Sequence, residues 1–507
     1  MALGRTLGVA LVGLTGHVVE VEAHLAPSLP AFSLVGLPDA SLAEARDRVR
    51  AAVTSSGIAW PNRRITVNLS PASLPKSGSG FDLAVAVATL AGAGVVDPAR
   101  VRDVVHVGEL GLDGRVRPVR GVLPAVAAAV AAGRTQVVVA EANAAEAALV
   151  PGADVVAVRS LAQVAVRHGA DVEVPDVPPV HAERTMAGPS PATSDLREVV
   201  GQDEARSCLE VAAAGGHHLL MVGPPGTGKT MLAARLPGLL PDLGEADAVE
   251  VTAVHSLAGT FDPAGGLLRR PPFEDPHHTA TSASVVGGGS GIARPGAASR
   301  AHRGVLFLDE APEFATAVLQ TLRQPLEHGE LVLHRAGGAA RYPARFQLVL
   351  AANPCPCGRA VGKGLDCSCR PEQRRRYFGK LSGPLLDRID LQVELQPARA
   401  GDPDGESTAA VARRVATARA AQAERLAATP WRTNAEVPGA WLRARLGPDR
   451  GLVADLDRAV DRGTLSLRGV DRVLRVAWTI ADLAGRPSPT AADVGRALLM
   501  RTRGHGA

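Results

Sequence analysis

The sequence predicts an α/β protein built around a phosphate-binding loop, and three observations support this prediction. Short apolar runs alternate with helical patterns over residues 1–398. One of these runs leads directly into the glycine-rich stretch GPPGTGKT. After residue 409 the pattern is amphipathic and helical throughout. At 507 residues the chain is long enough for roughly two to four domains.

Two breaks in the pattern divide the chain. Residues 1–172 alternate strand-like runs with alanine-rich helices, and residues 173–195 form a linker rich in Pro, Ser and Thr. Residues 196–398 are predicted to be the α/β core. A second polar break, QPARAGDPDGEST, precedes the helices of residues 399–507. We therefore expect an N-terminal domain, a linker, a central domain and a helical C-terminal domain.

The composition is that of an ordinary water-soluble protein. Hydrophobic residues make up 46% and charged residues 21% of the chain, and the net charge is +4. This mild positive charge is compatible with nucleic acid but does not indicate it. No apolar run approaches the ~20 residues that cross a bilayer, and the early stretch HVVEVEAHL alternates like a strand. We expect a cytoplasmic protein with no membrane partner.

The most specific local signal is the phosphate-loop motif. The apolar run from Leu219 to Val222 enters G-x-x-x-x-G-K-T, and a helical pattern follows. Glycines let backbone N–H groups turn toward phosphate oxygens, and the helix N-terminus adds its positive dipole end. Lys229 is predicted to reach the β- and γ-phosphates of ATP and Thr230 to ligate Mg²⁺. The predicted nucleotide-binding residues are Gly223, Pro224, Pro225, Gly226, Thr227, Gly228, Lys229 and Thr230.

Two further buried-strand patterns end in polar residues. VLFL is followed by Asp309, which suits a Mg²⁺ shell, and by Glu310, which suits activation of the attacking water. Two solvated acids at a strand end are the alternative, which the nearby phosphate loop disfavours. QLVLAA ends at Asn353, whose amide suits orientation of that water or sensing of the γ-phosphate.

Four of the five cysteines lie in one insertion, residues 353–370, directly after this strand. In a reducing compartment such clusters indicate a metal before a disulfide. Four thiolates close a tetrahedral structural zinc site, although C-x-C pairs are tighter than the usual C-x₂-C. Reduced structural thiols and a redox disulfide remain alternatives. The possible Zn²⁺ ligands are Cys355, Cys357, Cys367 and Cys369.

The chain resembles the magnesium-chelatase-like AAA+ family called YifB or ComM along essentially its full length. The resemblance rests on NLSPASLPKSGSGFDL, PHHTATSASVVGGG, NPCPCG, LSGPLLDRIDL and LSLRGVDRVLRVAWTIADL. It implies a P-loop AAA+ module with a C-terminal helical lid, assembled into a hexameric ring of identical subunits. It also implies an ATP-dependent branch-migration helicase acting on DNA in natural transformation or recombination.

The resemblance also assigns roles to single residues. It makes Asn353 a sensor of the γ-phosphate, Arg388 an arginine finger that acts on the neighbouring subunit, and Arg468 the second sensor on the lid. Gly201 and Gln202 would lie beside the adenine. A structural salt bridge is the alternative role for Arg388, which lies in a short turn of LSGPLLDRIDLQ.

Candidate DNA contacts lie in a predicted hairpin, GELVLHRAGGAARYPARF, that precedes the Asn353 strand. In related ring helicases a hairpin at this position projects into the pore. His334, Arg335 and Arg341 are therefore candidates for contacts with backbone phosphates. The stretch RRRYF, residues 374–378, is a second basic candidate, with a solvated turn as the alternative. For the histidine pair of PHHT we expect a structural or pore role rather than a metal site.

The resemblance gives residues 1–172 an α+β fold similar to Lon-protease and ribosomal-S5 domains. The positions of the Lon catalytic serine and lysine correspond to Gly80 and Leu123, so peptide hydrolysis lacks its nucleophile and base. Ser79 is adjacent, but no lysine lies near position 123. Lys76 is expected to serve structure or a backbone contact.

Two other functions remain open at this point. One is a magnesium-chelatase subunit that drives metal insertion into a tetrapyrrole, and the other is an ATPase that remodels proteins. The chelatase motor subunit is expected to lack the Lon-like domain and the cysteine cluster, which argues against the first alternative.

Overall fold

The structure of the chain is a computed structural model. It describes residues 3–36, 44–76, 78–180, 194–288, 294–335, 338–360, 366–381, 383–397, 405–446, 454–463 and 465–502. Among the helices described, none combines the length and the apolar character that a bilayer crossing requires.

The N-terminal region folds around a mixed seven-stranded sheet with the order β3-β4-β2-β1-β5-β8-β9. The strands of the region are β1 (Leu3–Val12), β2 (Thr15–Ala26), β3 (Ala31–Val35), β4 (Arg64–Ser70), β5 (Val105–Val107), β6 (Glu109–Leu110), β7 (Val116–Arg117), β8 (Gln136–Ala140) and β9 (Asp154–Val158). Its helices are α1 (Ala45–Ser55), α2 (Asp82–Ala93), α3 (Pro98–Val101), α4 (Val122–Ala131), α5 (Glu141–Ala147) and α6 (Leu161–Arg167). The β1–β2 and β2–β4 pairs are antiparallel, and the other pairs of this sheet are parallel.

Side chains of this sheet alternate between two apolar layers, as the pleat of a strand requires. On β8, Val137 and Val139 pack into one buried cluster, whereas Val138 and Ala140 pack into another. The region therefore has helices or loops over both faces of its sheet.

The central region contains the second large sheet. Its strands are β10 (Leu219–Val222), β11 (Phe273–Glu274), β12 (Gly287–Gly288), β13 (Arg294–Pro295), β14 (Val305–Leu308), β15 (Glu330–Arg335), β16 (Gly338–Pro343), β17 (Gln347–Ala352) and β18 (Leu391–Glu394). Its helices are α7 (Asp203–Gly215), α8 (Lys229–Leu239), α9 (Glu245–Ala258), α10 (Ser282–Val286), α11 (Ala297–Arg300), α12 (Thr316–Thr321), α13 (Arg323–His328), α14 (Pro371–Gly379) and α15 (Gly383–Leu386).

Five of these strands form an all-parallel sheet with the order β11-β14-β17-β10-β18. The central strands are buried on both faces, which explains their unbroken apolar runs. On β10, Leu219 and Met221 pack into one cluster and Leu220 into another. The carboxyl ends of β10, β14 and β17 therefore lie together at one edge, where ligands of such sheets bind.

The C-terminal region is helical, as the sequence predicts. Its helices are α16 (Thr408–Leu426), α17 (Gly439–Arg443), α18 (Ala454–Asp461), α19 (Leu467–Leu483) and α20 (Ala491–Thr502). Val415 and Trp478 from these helices share a buried cluster with Leu209 of α7 and Leu232 of α8. The C-terminal helices are thus packed into one core with the parallel sheet.

Short 3₁₀ helices complete the described elements. They cover Ser79–Phe81, Leu196–Glu198, Pro263–Gly265, Ala311–Glu313 and Asn434–Glu436.

Candidate functional site

The phosphate loop occupies the turn between β10 and α8. Gly226 and Gly228 have φ angles of 81° and 87°. A Cβ built on either would meet no atom within 4 Å, so their conformation rather than crowding calls for glycine. Gly223 is different, because a Cβ there would lie 2.9 Å from the Leu395 carbonyl oxygen. The Thr227 hydroxyl donates to the Pro224 carbonyl at 2.9 Å and closes the turn.

Lys229 connects this loop to the asparagine predicted on β17. Its Nζ donates to the carbonyl oxygens of Gly223 at 2.6 Å and Pro224 at 2.9 Å, and to Asn353 Oδ1 at 3.3 Å. Burial lowers the pKa of Lys229, and the nearby carboxylates of Asp309 and Glu310 oppose that shift. The ammonium group is therefore held between the phosphate loop, the amide and the acidic pair.

Thr230 and Asp309 fit a shared magnesium ion. The Thr230 hydroxyl donates to Asp309 Oδ2 at 2.6 Å, and the other Asp309 oxygen accepts from the Glu310 amide at 2.8 Å. Adjacent oxygen ligands of an octahedral Mg²⁺ lie about 2.9 Å apart, because each bond is about 2.0–2.1 Å. These two side chains are thus already placed as neighbouring oxygen ligands.

Glu310 has a partner that sequence reasoning missed. His278 Nδ1 lies 3.0 Å from Glu310 Oε2, and the ring of His277 lies 4.1 Å from that of His278 between centroids. Glu310 itself adopts φ of 50°, an uncommon left-handed conformation for a residue with a side chain. No sequence pattern indicated this contact, which arises because β11 and β14 are neighbours in the sheet, so that His278 follows one strand and Glu310 the other.

Gly201 and Gln202 lie against the phosphate loop. Both have left-handed φ angles, 63° and 58° respectively. Gln202 Nε2 is 3.4 Å from the Thr227 carbonyl oxygen and also donates to the Gln396 carbonyl. The structure thus brings this predicted nucleotide-binding segment to the site.

Arg388 and Arg468 lie at the opposite edge of the sheet. Arg388 precedes Leu391, which pairs with Leu219 at the amino ends of β18 and β10. It forms an ion pair with Glu327, and burial together with Arg323, Arg472 and Arg468 lowers its pKa. The exposed Arg468 lies at the start of α19. The structure therefore separates these two arginines from the phosphate loop of their own chain.

The four cysteines of the insertion converge. Their Sγ atoms all lie within 4.8 Å of one another, with separations of 3.3, 3.7 and 3.6 Å for the pairs 355–357, 357–367 and 355–367. A disulfide requires about 2.0 Å, and none is formed here. The edge of a tetrahedral zinc thiolate site is about 3.8 Å, given Zn–S bonds of about 2.3 Å. The donor set therefore fits a tetrahedral thiolate-bound metal.

Backbone groups in the insertion favour the thiolate form of Cys357. At Cys369 a backbone hydrogen bond from Cys357 acts in the same direction, but burial and the neighbouring thiols outweigh it and raise the pKa of Cys369 to about 11. A hydrogen bond from the Arg359 amide is the main cause that lowers the pKa of Cys357 to about 6. The thiolate is the form of cysteine that binds a metal.

The predicted hairpin is formed by β15 and β16, with His334 opposite Ala339. His334 is exposed, whereas Arg341 Nη1 donates to Glu330 Oε1 at 2.7 Å. Arg335 ends β15, and its side chain lies outside the described residues. The hairpin base rests on the N-terminal sheet, because a Cβ at Gly13 would lie 2.4 Å from the Arg341 carbonyl oxygen.

The second basic candidate lies on α14. Arg375 and Arg376 are exposed, but Tyr377 is buried and its ring meets Phe378 edge-on at 5.5 Å. Tyr377 is therefore part of the core here and is not presented for stacking on a base.

Among the residues described, the positions expected to correspond to a Lon serine and lysine hold no catalytic dyad. Leu123 is buried, the Ser79 hydroxyl donates to Glu109, and Lys76 Nζ donates to the Pro71 carbonyl. The expected backbone contact of Lys76 is thus confirmed.

Comparison with known proteins identifies the family of the chain. Family models match residues 21–143 (Subunit ChlI of Mg-chelatase), 195–402 (Magnesium chelatase, subunit ChlI) and 405–501 (Magnesium chelatase, subunit ChlI C-terminal). Competence protein ComM of Haemophilus influenzae is 40% identical over 490 residues, covering 96% of this chain and 94% of that protein. The chain belongs to the YifB/ComM family. Protein YifB of Escherichia coli is 40% identical over 483 residues, 94% of this chain and 92% of that protein.

An uncharacterized protein of Mycobacterium tuberculosis is more similar, at 54% identity over 99% of both chains. Membership of the magnesium-chelatase-like AAA+ proteins indicates an ATPase that uses ATP and Mg²⁺. Because a model named for a chelatase subunit matches residues 21–143, the N-terminal region does not by itself separate the YifB/ComM family from chelatase subunits.

Proposed function

We propose that the chain is an ATP-driven DNA motor that works as a ring of identical subunits, with six as the expected number. One observation supports this proposal: the residues that we assign to the two halves of an ATPase site lie at opposite edges of one sheet. The phosphate loop, Asp309, Glu310 and Asn353 lie at the carboxyl edge. Arg388 and Arg468 lie at the amino edge. A neighbouring subunit in a closed ring brings the two halves together.

Within one site the roles follow from position. Lys229 and the loop amides would bind the phosphates, and Thr230 and Asp309 would hold Mg²⁺, which would neutralise phosphate charge. Glu310 accepts the proton of the water that attacks the γ-phosphorus, while the bond to the β–γ bridging oxygen breaks. Asn353 orients that water. Arg388 of the adjacent subunit stabilises the charge that develops on the transferred group.

Action on DNA is supported by exposed basic segments and by sequence similarity to ComM. The exposed His334 is on the hairpin that rests on the N-terminal sheet, and the basic α14 lies beside the cysteine insertion. ComM is named a competence protein, which favours branch migration in natural transformation or recombination. We further propose a helical lid at residues 399–507 and a non-proteolytic Lon/S5-like fold for residues 1–172. The cysteine cluster is proposed to hold structural Zn²⁺.

The second candidate is a subunit of a metal-inserting chelatase, which the names of the three family models favour. Near full-length identity with ComM favours the first candidate. The test is ATPase activity of the full chain with four additions in parallel: a four-way DNA junction, linear duplex, single-stranded DNA and denatured protein. We expect the junction to stimulate most, with binding that weakens steeply as salt rises. Stimulation by denatured protein alone would support a protein remodeller, and indifference to DNA would refute the motor.

A further inference from the structure

The cysteine insertion touches the phosphate loop directly. Gly358, which follows Cys357, has φ of 75°. A Cβ built on Gly358 would lie 2.7 Å from Cδ and 2.9 Å from Cγ of Pro225. Gly358 also donates its amide to the Cys355 carbonyl at 3.0 Å, which ties this turn to the first cysteine. The backbone beside the cysteines is thus packed against the phosphate loop with no room for a side chain.

The cysteines also lie close to Asn353, the first residue of the insertion. Cys355 is fully buried two residues beyond Asn353. After Cys369 the chain enters α14, whose buried Tyr377 lies near the Asn353 backbone. The insertion is therefore next to two elements that hold Lys229. Gly358 contacts Pro225 of the phosphate loop, and α14 lies near Asn353.

We propose that zinc bound by the four cysteines stabilises the conformation of the phosphate loop. Occupancy of the cysteine site would then determine the affinity for ATP. This inference rests on the proposed ATPase function. A tetrathiolate site has no open position, so the metal does not meet the nucleotide. It links two cysteine pairs that are separated by nine intervening residues in the sequence. That link fixes the turn at Gly358 against Pro225.

The size of the effect follows from populations. If the metal-free insertion populates the conformation with Gly358 against Pro225 only about a tenth of the time, the apparent dissociation constant for ATP rises about tenfold. The same change applies to every nucleotide that uses the phosphate loop, because the contact lies on the loop and not on the base. Metal loss is therefore expected to weaken ATP and ADP alike.

The test uses the full chain, purified with reductant, and four proteins. Cys367→Ser removes a ligand outside the turn that contacts Pro225, and Gly358→Ala crowds that contact while keeping all four ligands. Cys208→Ala is the matched control, since Cys208 is a buried cysteine outside the insertion. Zinc per chain is measured by mass spectrometry, and affinity by titration with a fluorescent ATP analogue. Circular dichroism verifies the fold of each protein.

We expect one zinc per chain and tight nucleotide binding in the wild type and in Cys208→Ala. Cys367→Ser should lose zinc and bind nucleotide about tenfold more weakly, and Gly358→Ala should keep zinc yet bind weakly. Wild type stripped of zinc by a chelator, with Mg²⁺ restored, should regain affinity when Zn²⁺ alone is added back. Normal nucleotide binding by a folded Cys367→Ser variant, or by wild-type protein stripped of zinc, would contradict the proposed effect of zinc on nucleotide affinity. Wild type without zinc would overturn the metal site, and zinc-loaded wild type that binds no nucleotide would instead refute the ATPase.

Discussion

Arg388 is separated from the phosphate loop of its own chain, and this leads to a prediction for rings that contain two different variants. Replacing Arg388 by Ala should leave ATP binding intact, because the phosphate loop is at the other edge of the sheet. Turnover should fall at least ~10³-fold, the usual contribution of an arginine finger. Lys229→Ala should fail to bind nucleotide but retain Arg388. Each variant alone is therefore expected to be inactive, for a different reason.

Mixing the two variants restores complete sites if Arg388 acts on the neighbour. In a random equimolar ring, a good phosphate loop meets a good arginine at about a quarter of the interfaces. We therefore expect the mixture to recover about a quarter of the wild-type rate. Glu327, the ion-pair partner of Arg388, is 46% exposed, but the Arg388 side chain is only 14% exposed, so melting temperatures must show that the variant remains folded.

The assay is steady-state phosphate release from proteins mixed under conditions that exchange subunits, with melting temperatures as a check on folding. Glu327→Gln is the control, since it releases Arg388 without removing it and should keep substantial activity. A mixture as inactive as its components, although exchange is demonstrated by labelled subunits, would refute action on the neighbouring subunit.

Three further predictions follow from single contacts. Thr230→Ala should raise the Mg²⁺ concentration for half-maximal ATPase about tenfold, because one oxygen ligand is lost; an unchanged Mg²⁺ requirement would contradict the ligand assignment. His278→Ala should alter turnover through Glu310, whereas His277→Ala, which lacks that contact, should change it less; equal effects on the rate would contradict a role for the contact. His106 is buried and its pKa is lowered to about 3, mainly by burial, from an ordinary 6.5. The unfolded chain thus takes up its proton first, so stability should fall by up to ~1.4 kcal/mol per pH unit below pH 6.5; a urea midpoint constant from pH 7 to pH 5 would contradict this.

The site motifs could be located in the sequence because each directly follows an unbroken apolar run. A strand buried on both faces has no polar alternation, so the first polar residues after VLFL and QLVLAA mark the sheet edge. That reasoning located Asp309 and Asn353 without knowledge of the strand order. Helical periodicity gave the C-terminal helices in the same way, but not their shared core with the sheet.

Contacts between distant segments were not readable from periodicity. His278 meets Glu310 only because β11 and β14 are neighbours in the sheet, and the packing of Gly358 on Pro225 depends on the path of the insertion. Tyr377 looked like a partner for nucleic acid beside three arginines, yet it is buried. Local composition could not distinguish an aromatic ring in the core from one on the surface.

If ATP turnover drives the movement of DNA strands, the protein should process a branched DNA junction. A four-way DNA junction with one labelled strand is incubated with the protein, Mg²⁺ and ATP, and its products are resolved by native electrophoresis. We expect conversion to duplex arms with ATP, no conversion with a non-hydrolysable analogue, and no conversion by the Glu310→Gln variant. Intact junctions after incubation with protein that hydrolyses ATP and binds the junction would contradict this expectation.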